Sequence, residues 1–182
     1  MLPFSSISER FEDFARYIAA YGLVLIFFVS DVIAIPDPFN WIMSVPFLTM
    51  IVFYWSIHRP SIIPTFAAFI LGLLLDILSG APLGFNAMIL LFLQWAMTDQ
   101  RAFLSAQSFP MIWLIFSLVQ TAIMILQWFV TGLLNFNWTA LSELWSPLII
   151  AIVTFPFIAL ILHFTLKILP NMKMSLSSRE LQ

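Results

Sequence analysis

Long apolar runs, cut only by short stretches of proline and polar residues, occupy the chain from about residue 17 to residue 169. Crossing the hydrocarbon core of a bilayer takes about 20 mainly apolar residues as a helix, because every backbone N–H and C=O must be satisfied within the segment. Six runs are read, with boundaries good to a few residues: 17–35, 42–57, 62–79, 83–97, 109–134 and 147–169. The first stops at the two-proline turn "IPDPFNW", the second is short and contains Pro46, and the fifth is long enough to tilt. Composition points the same way. Of 182 residues, 62% are hydrophobic and 9% charged, against roughly 45–50% and 25% in an ordinary soluble domain. The expected fold is therefore an all-α integral membrane protein, a bundle of about six transmembrane helices in a single domain over 17–169. A short polar tail over 170–182 closes the chain, and a lead over 1–16 precedes the bundle. In the lead, Ser6 and Glu9 have capping-box spacing and "SSISERFEDFAR" reads either as an amphipathic surface helix or as a solvated entry to the first span.

Charge placement supports six spans. Lysine and arginine favour cytoplasmic ends. With both termini cytoplasmic, Arg10, Arg16, Arg59, Arg101, Lys167, Lys173 and Arg179 all fall on one side, and the outer loops hold no basic residue. No cleavage site follows the first run, so it is expected to be retained. In the loop "NFNWTALSELW", Trp138, Leu141, Leu144 and Trp145 share a helical face, which predicts an interfacial helix. Cysteine is absent, which excludes disulfides, thiolate metal sites and cysteine nucleophiles. No cofactor motif, phosphate loop, catalytic triad or basic strip for nucleic acid is present.

Polar residues inside the apolar runs narrow the candidates. Asp76 lies near the outer end of the third run, and Ala68, Gly72 and Gly80 lie on its face at spacings of four. A carboxylate in hydrocarbon costs about 2.5–3.5 kcal/mol, so it needs a partner. The turn "SGAPLG", with Gly80, Pro82 and Gly84, exposes backbone amides at the start of the fourth run, and Asp76 is placed to accept them. A ligand, ion or proton site and a direct partner contact are the alternatives. Asp31, Asn86 and Gln127 fall at similar depth and are candidates for one polar cluster with Asp76; equally, Asp31 reaches the headgroups. Gln94, Gln120 and Gln127 suit interhelical hydrogen bonds, and single histidines at 58 and 163 make a weak metal argument. An enzyme here has only Asp31 and Asp76 to work with.

Two stretches carry a family resemblance. "PFLTMIVFYWSIHRPSIIP" (46–64), with Pro46, the Tyr54-Trp55 pair and Arg59-Pro60, is followed by "AFILGLLLDILSGAPLGFNAM" (68–88), with Gly72, Asp76, Gly80, Pro82, Leu83, Gly84 and Asn86 in order. Together they resemble the rod shape-determining protein MreD family of bacterial inner membranes. The resemblance extends over about residues 10–170 in length and span layout, and beyond residue 90 it is one of hydropathy. It implies a multi-pass subunit of the cell-elongation machinery that binds MreC and links MreB filaments to the peptidoglycan synthases RodA and its penicillin-binding partner. It also implies a fold similar to the substrate-binding subunits of energy-coupling-factor transporters. The leading expectation is a non-enzymatic scaffold in contact with membrane lipid. The alternative is a small-molecule-binding or transporter subunit with an outer-leaflet polar pocket. A second copy of the chain is a further candidate partner.

Overall fold

A computed structural model describes residues 5–33, 35–36, 42–43, 46–79, 81–135 and 144–168. The elements are α1 (Ser5–Val32), β1 (Ile35–Pro36), β2 (Ile42–Met43), α2 (Phe47–His58), α3 (Thr65–Ser79), α4 (Phe85–Asp99), α5 (Arg101–Leu104), α6 (Phe109–Asn135) and α7 (Trp145–Ile168). The fold is helical apart from β1 and β2, which pair antiparallel with Ile35 opposite Met43 and Pro36 opposite Ile42. A plain turn was expected there. From Ser5 to Val32 the lead and the first apolar run share one unbroken helix, since neither proline nor glycine occurs between Ser5 and Tyr21 to interrupt it.

Helix α2 is apolar on every side, and such a helix must be surrounded. Each residue from Leu48 to Ile57 is buried, packed by α1, α4, α5 and α7. Its Phe53 meets Phe116 of α6 and Phe155 of α7 edge-on, with ring centroids 5.3 and 5.8 Å away, and those two rings stack at 4.0 Å. The outer helices are apolar on their free faces as well: Phe66, Ile70 and Leu74 on α3, Leu118 and Ile125 on α6, and Val153 and Phe157 on α7 are all exposed. Apolar surface both inside and outside suits a bilayer as solvent and not water.

By length and apolar character, Phe109–Leu134 and Trp145–Thr165 reach membrane-spanning size; Ala20–Val32, Phe47–His58 and Thr65–Ser79 are apolar but shorter. Helix α2, with 12 residues, is only about 18 Å long at 1.5 Å per residue. Beyond α2 the chain makes a turn in which Ile62 and Ile63 point into the core, 1% and 2% exposed, while Ser61 and Pro64 lie on the surface. Irregular backbone is tolerated at depth where protein covers it. Pro46, read from sequence as part of the second span, stands outside α2 as its N-cap residue. Lacking an N–H, proline suits the start of a helix and not its interior.

Pro156 does lie inside a helix, α7, and it withholds the N–H that Ile152 C=O would otherwise accept four residues back. Trp113 of α6 supplies the missing donor, its indole Nε1 lying 2.9 Å from that oxygen. The expected interfacial helix at Trp138–Trp145 falls mainly on 136–143, outside the described residues, and Trp145 opens α7. Gly80 and the tail over 170–182 also lie outside them.

Candidate functional site

The site is the α3–α4 hairpin. Of α3, only Ala68, Gly72 and Asp76 are buried, one residue per turn along a single stripe. That stripe faces α4 so closely that a Cβ on Gly72 would stand 2.4 Å from Ala87 Cα and 2.7 Å from Ala87 N. Glycine removes the side chain that would hold the helices apart.

Close approach brings Asp76, 1% exposed, beneath the start of α4. Gly84 N–H donates to Oδ2 at 2.8 Å, Asn86 N–H to Oδ1 at 2.9 Å and Ala87 N–H to Oδ2 at 3.4 Å. The first amides of any helix lack intrahelical acceptors. Here all are accounted for: Phe85 N–H donates to Pro82 C=O at 3.1 Å, and Met88 N–H makes the first helical bond, to Gly84 C=O, at 2.9 Å. Gly84 is the N-cap residue at φ 90°, ψ −9°, and a glycine has no side chain with which to cap. The acceptor therefore comes from the neighbouring helix. Asn86 continues the polar path, accepting at Oδ1 from Gln127 Nε2 of α6 at 3.3 Å.

Asp31 corrects the sequence reading. Among the described residues its carboxyl group makes no hydrogen bond to Asp76, Asn86 or Gln127; it caps α2. Phe47 N–H donates to Oδ1 and Leu48 N–H to Oδ2, each at 2.8 Å. The reason is local. The N-cap residue of α2, Pro46, has no side-chain acceptor, so α2, like α4, takes its cap from the helix before it. At the other end of the hairpin, Thr65 Oγ1 donates to Gln94 Oε1 at 2.7 Å, and Gln94 Nε2 donates to Ile63 C=O at 3.3 Å. The hairpin is fastened at both ends by side chains whose partners lie on the other helix or its approach.

Residues 14–165 match the family model described as rod shape-determining protein MreD. The chain belongs to the MreD family. Neither a curated protein nor a solved structure matches it significantly. The family is one of bacterial membrane proteins that determine cell shape, and the hairpin lies wholly within the matched segment.

Of the remaining residues singled out in this MreD-family chain, Pro82 is exposed in the turn before α4, and Arg59 and Pro60 form the half-buried exit from α2. Arg59 N–H donates to Trp55 C=O at 2.7 Å, and Arg59 C=O accepts from Ile62 N–H at 3.1 Å, so its backbone makes the turn into the buried Ile62–Ile63 segment. His58 stacks on Tyr54 with centroids 4.3 Å apart, and the Tyr54 hydroxyl lies 3.5 Å from His163 Nδ1. Among the described residues no group of three or more His, Cys, Asp or Glu is placed to hold a metal.

Gly84 separates conformational strain from crowding. A Cβ there meets nothing within 4 Å, so any cost of a side chain comes from the left-handed backbone. Gly84→Val is expected to destabilise by about 1–2 kcal/mol and Gly84→Asn by much less, because asparagine tolerates that conformation. Thermal unfolding in detergent measures the difference, and equal stability of the two variants would contradict the assignment.

Proposed function

We propose that the chain is a non-enzymatic scaffold of the bacterial cell-elongation machinery, binding MreC and linking MreB filaments to the peptidoglycan synthases RodA and its penicillin-binding partner. One observation carries this reading. Asp31 and Asp76, the two carboxyl groups within the outer parts of the apolar helices, are each occupied by backbone amides that start a helix. A general base or a ligand-binding carboxyl must exchange partners, whereas a cap must keep them. What such caps supply is a fixed surface. Phe66, Ile70 and Leu74 on the outer face of α3, with Met88 and Phe92 on α4, are exposed and apolar, and together they suit the single membrane helix of a partner.

The proposal includes the finer architecture: a multi-pass inner-membrane protein with six crossings, cytoplasmic termini and a fold like that of energy-coupling-factor substrate-binding subunits. The reading as a small-molecule or transporter subunit needs the outer polar residues to open on a cavity. Neither the apolar groove between α1 and α3 nor the polar cleft at the far end of α4 is lined by Asp31, Asp76, Asn86 or Gln127.

Co-purification from bacterial membranes in mild detergent tests the scaffold. MreC is expected to be retained with the folded protein, together with an elongation synthase. A folded protein that retains neither, and instead binds a small solute saturably, would overturn the proposal.

A further inference from the structure

At the end of α4 away from Asp76, a cleft of about 420 Å³ is lined by Thr65, Gln94, Trp95, Thr98, Asp99 and Arg101. It lies about 20 Å from the capped turn, given the 15 residues of α4 at 1.5 Å each, and is a separate site. We propose that this cleft binds the headgroup of a zwitterionic aminophospholipid from the surrounding bilayer, with Arg101 on the phosphate and Asp99 on the ammonium.

The argument begins with the lining. Thr65 and Gln94 satisfy each other across the floor, but Thr98 Oγ1 is buried and has no hydrogen-bond partner among the described residues. Thr98 lines the cleft, and turning its side chain toward that space would give the unpartnered hydroxyl access to an acceptor from outside the chain. A phosphate oxygen, accepting from that hydroxyl, meets the requirement.

The charges choose among phosphates. Asp99 and Arg101 are both exposed where they line the cleft, and among the described residues Asp99 Oδ2 accepts only from the neighbouring Gln100 side chain, at 3.2 Å. Neither Asp99 nor Arg101 forms an ion pair among the described residues. One cation and one anion on the same rim match a phosphate followed by an ammonium group. A purely anionic headgroup would leave Asp99 facing like charge, and a purely cationic ligand would leave Arg101 so.

Trp95 points to a lipid and not to a soluble zwitterion. It is 57% exposed beside an apolar outer face that includes Phe92, whose ring centroid is 5.7 Å away. Tryptophan favours the interface, where acyl chains pass below and headgroups lie beside it.

Native mass spectrometry of the delipidated full chain in detergent, with phosphatidylethanolamine, phosphatidylglycerol or phosphatidylcholine added back, tests the proposal. Phosphatidylethanolamine is expected to be retained best. Arg101→Gln should lower retention of all three lipids by about fivefold, the scale of one exposed ion pair. Asp99→Asn should abolish the preference for phosphatidylethanolamine over phosphatidylglycerol while leaving binding itself. Equal retention of these two lipids by the unmodified chain would overturn the proposal without recourse to any variant. Displacement by soluble glycerophosphoethanolamine at the same concentration as the lipid would also overturn it, by assigning the cleft to a soluble ligand.

Discussion

Asp76→Leu is expected to be among the most damaging single substitutions in this chain, costing about 3–5 kcal/mol of stability, because it strands several amides at once and each unmet buried donor costs about 1–3 kcal/mol. Gly84, Asn86 and Ala87 all donate to this one side chain, and no side chain at the N-cap of α4 can replace it. Leucine shares the heavy-atom branching of aspartate and is bulkier, so no cavity is opened and the loss of the hydrogen bonds dominates, with crowding adding to it. Asp76→Asn keeps one acceptor oxygen and is expected to cost about half as much. Reversible unfolding in detergent should rank unmodified chain, Asn and Leu in that order. Equal tolerance of Asn and Leu would show that the amides have another acceptor.

Gly72→Ala is the second large effect. In a helix interior alanine is ordinarily better than glycine by about 1 kcal/mol, so a loss here must come from contact. The new Cβ would meet Ala87 Cα at 2.4 Å, Ala87 N at 2.7 Å and Asn86 C at 2.9 Å. All three are backbone atoms that cannot rotate away. Helix α4 must shift, which stretches the bonds from Asn86 and Ala87 to Asp76. A net destabilisation of about 2–3 kcal/mol is expected, in the upper range for overpacking, and Gly72→Val should cost more. The two sites act on one contact, so the double variant Gly72→Ala with Asp76→Leu should lose less than the sum. Full additivity would separate them.

Both effects were partly legible in the sequence. Spacing of four between Ala68, Gly72 and Asp76 placed them on one face, and the glycine turn at "SGAPLG" announced amides in need of an acceptor. Depth along a helix could be read, but not rotation about its axis relative to neighbours. That is why the sequence leaves Asp31 between a cluster with residues at its own level and the headgroups, whereas its carboxyl group turns to the start of α2. A signal was present: Pro46 precedes α2 and Gly84 precedes α4, and neither residue can cap from its own side chain. A helix that starts on such a residue at membrane depth needs an acceptor from elsewhere, and Asp31 and Asp76 are the carboxyl groups in the apolar parts of the preceding helices α1 and α3. Similarly, Pro156 in an apolar run implied a freed carbonyl, while its donor, Trp113, lies on another helix and is a matter of packing alone. The β1–β2 pair left no legible mark, since Ile35–Pro36 and Ile42–Met43 are too short for alternation to be recognised.

These contacts share one physical rule: where a helix is interrupted or begins inside the protein, a neighbouring helix supplies the missing hydrogen-bond partner, and that exchange fixes how the two pack. Amide hydrogen exchange of the membrane-embedded protein tests the rule at Gly84, Asn86 and Ala87. The account predicts slow exchange at these amides in the unmodified chain, and selective acceleration there in Asp76→Leu under conditions that keep α6 and α7 protected. Fast exchange in the unmodified chain, or rates unchanged by the substitution, would contradict it.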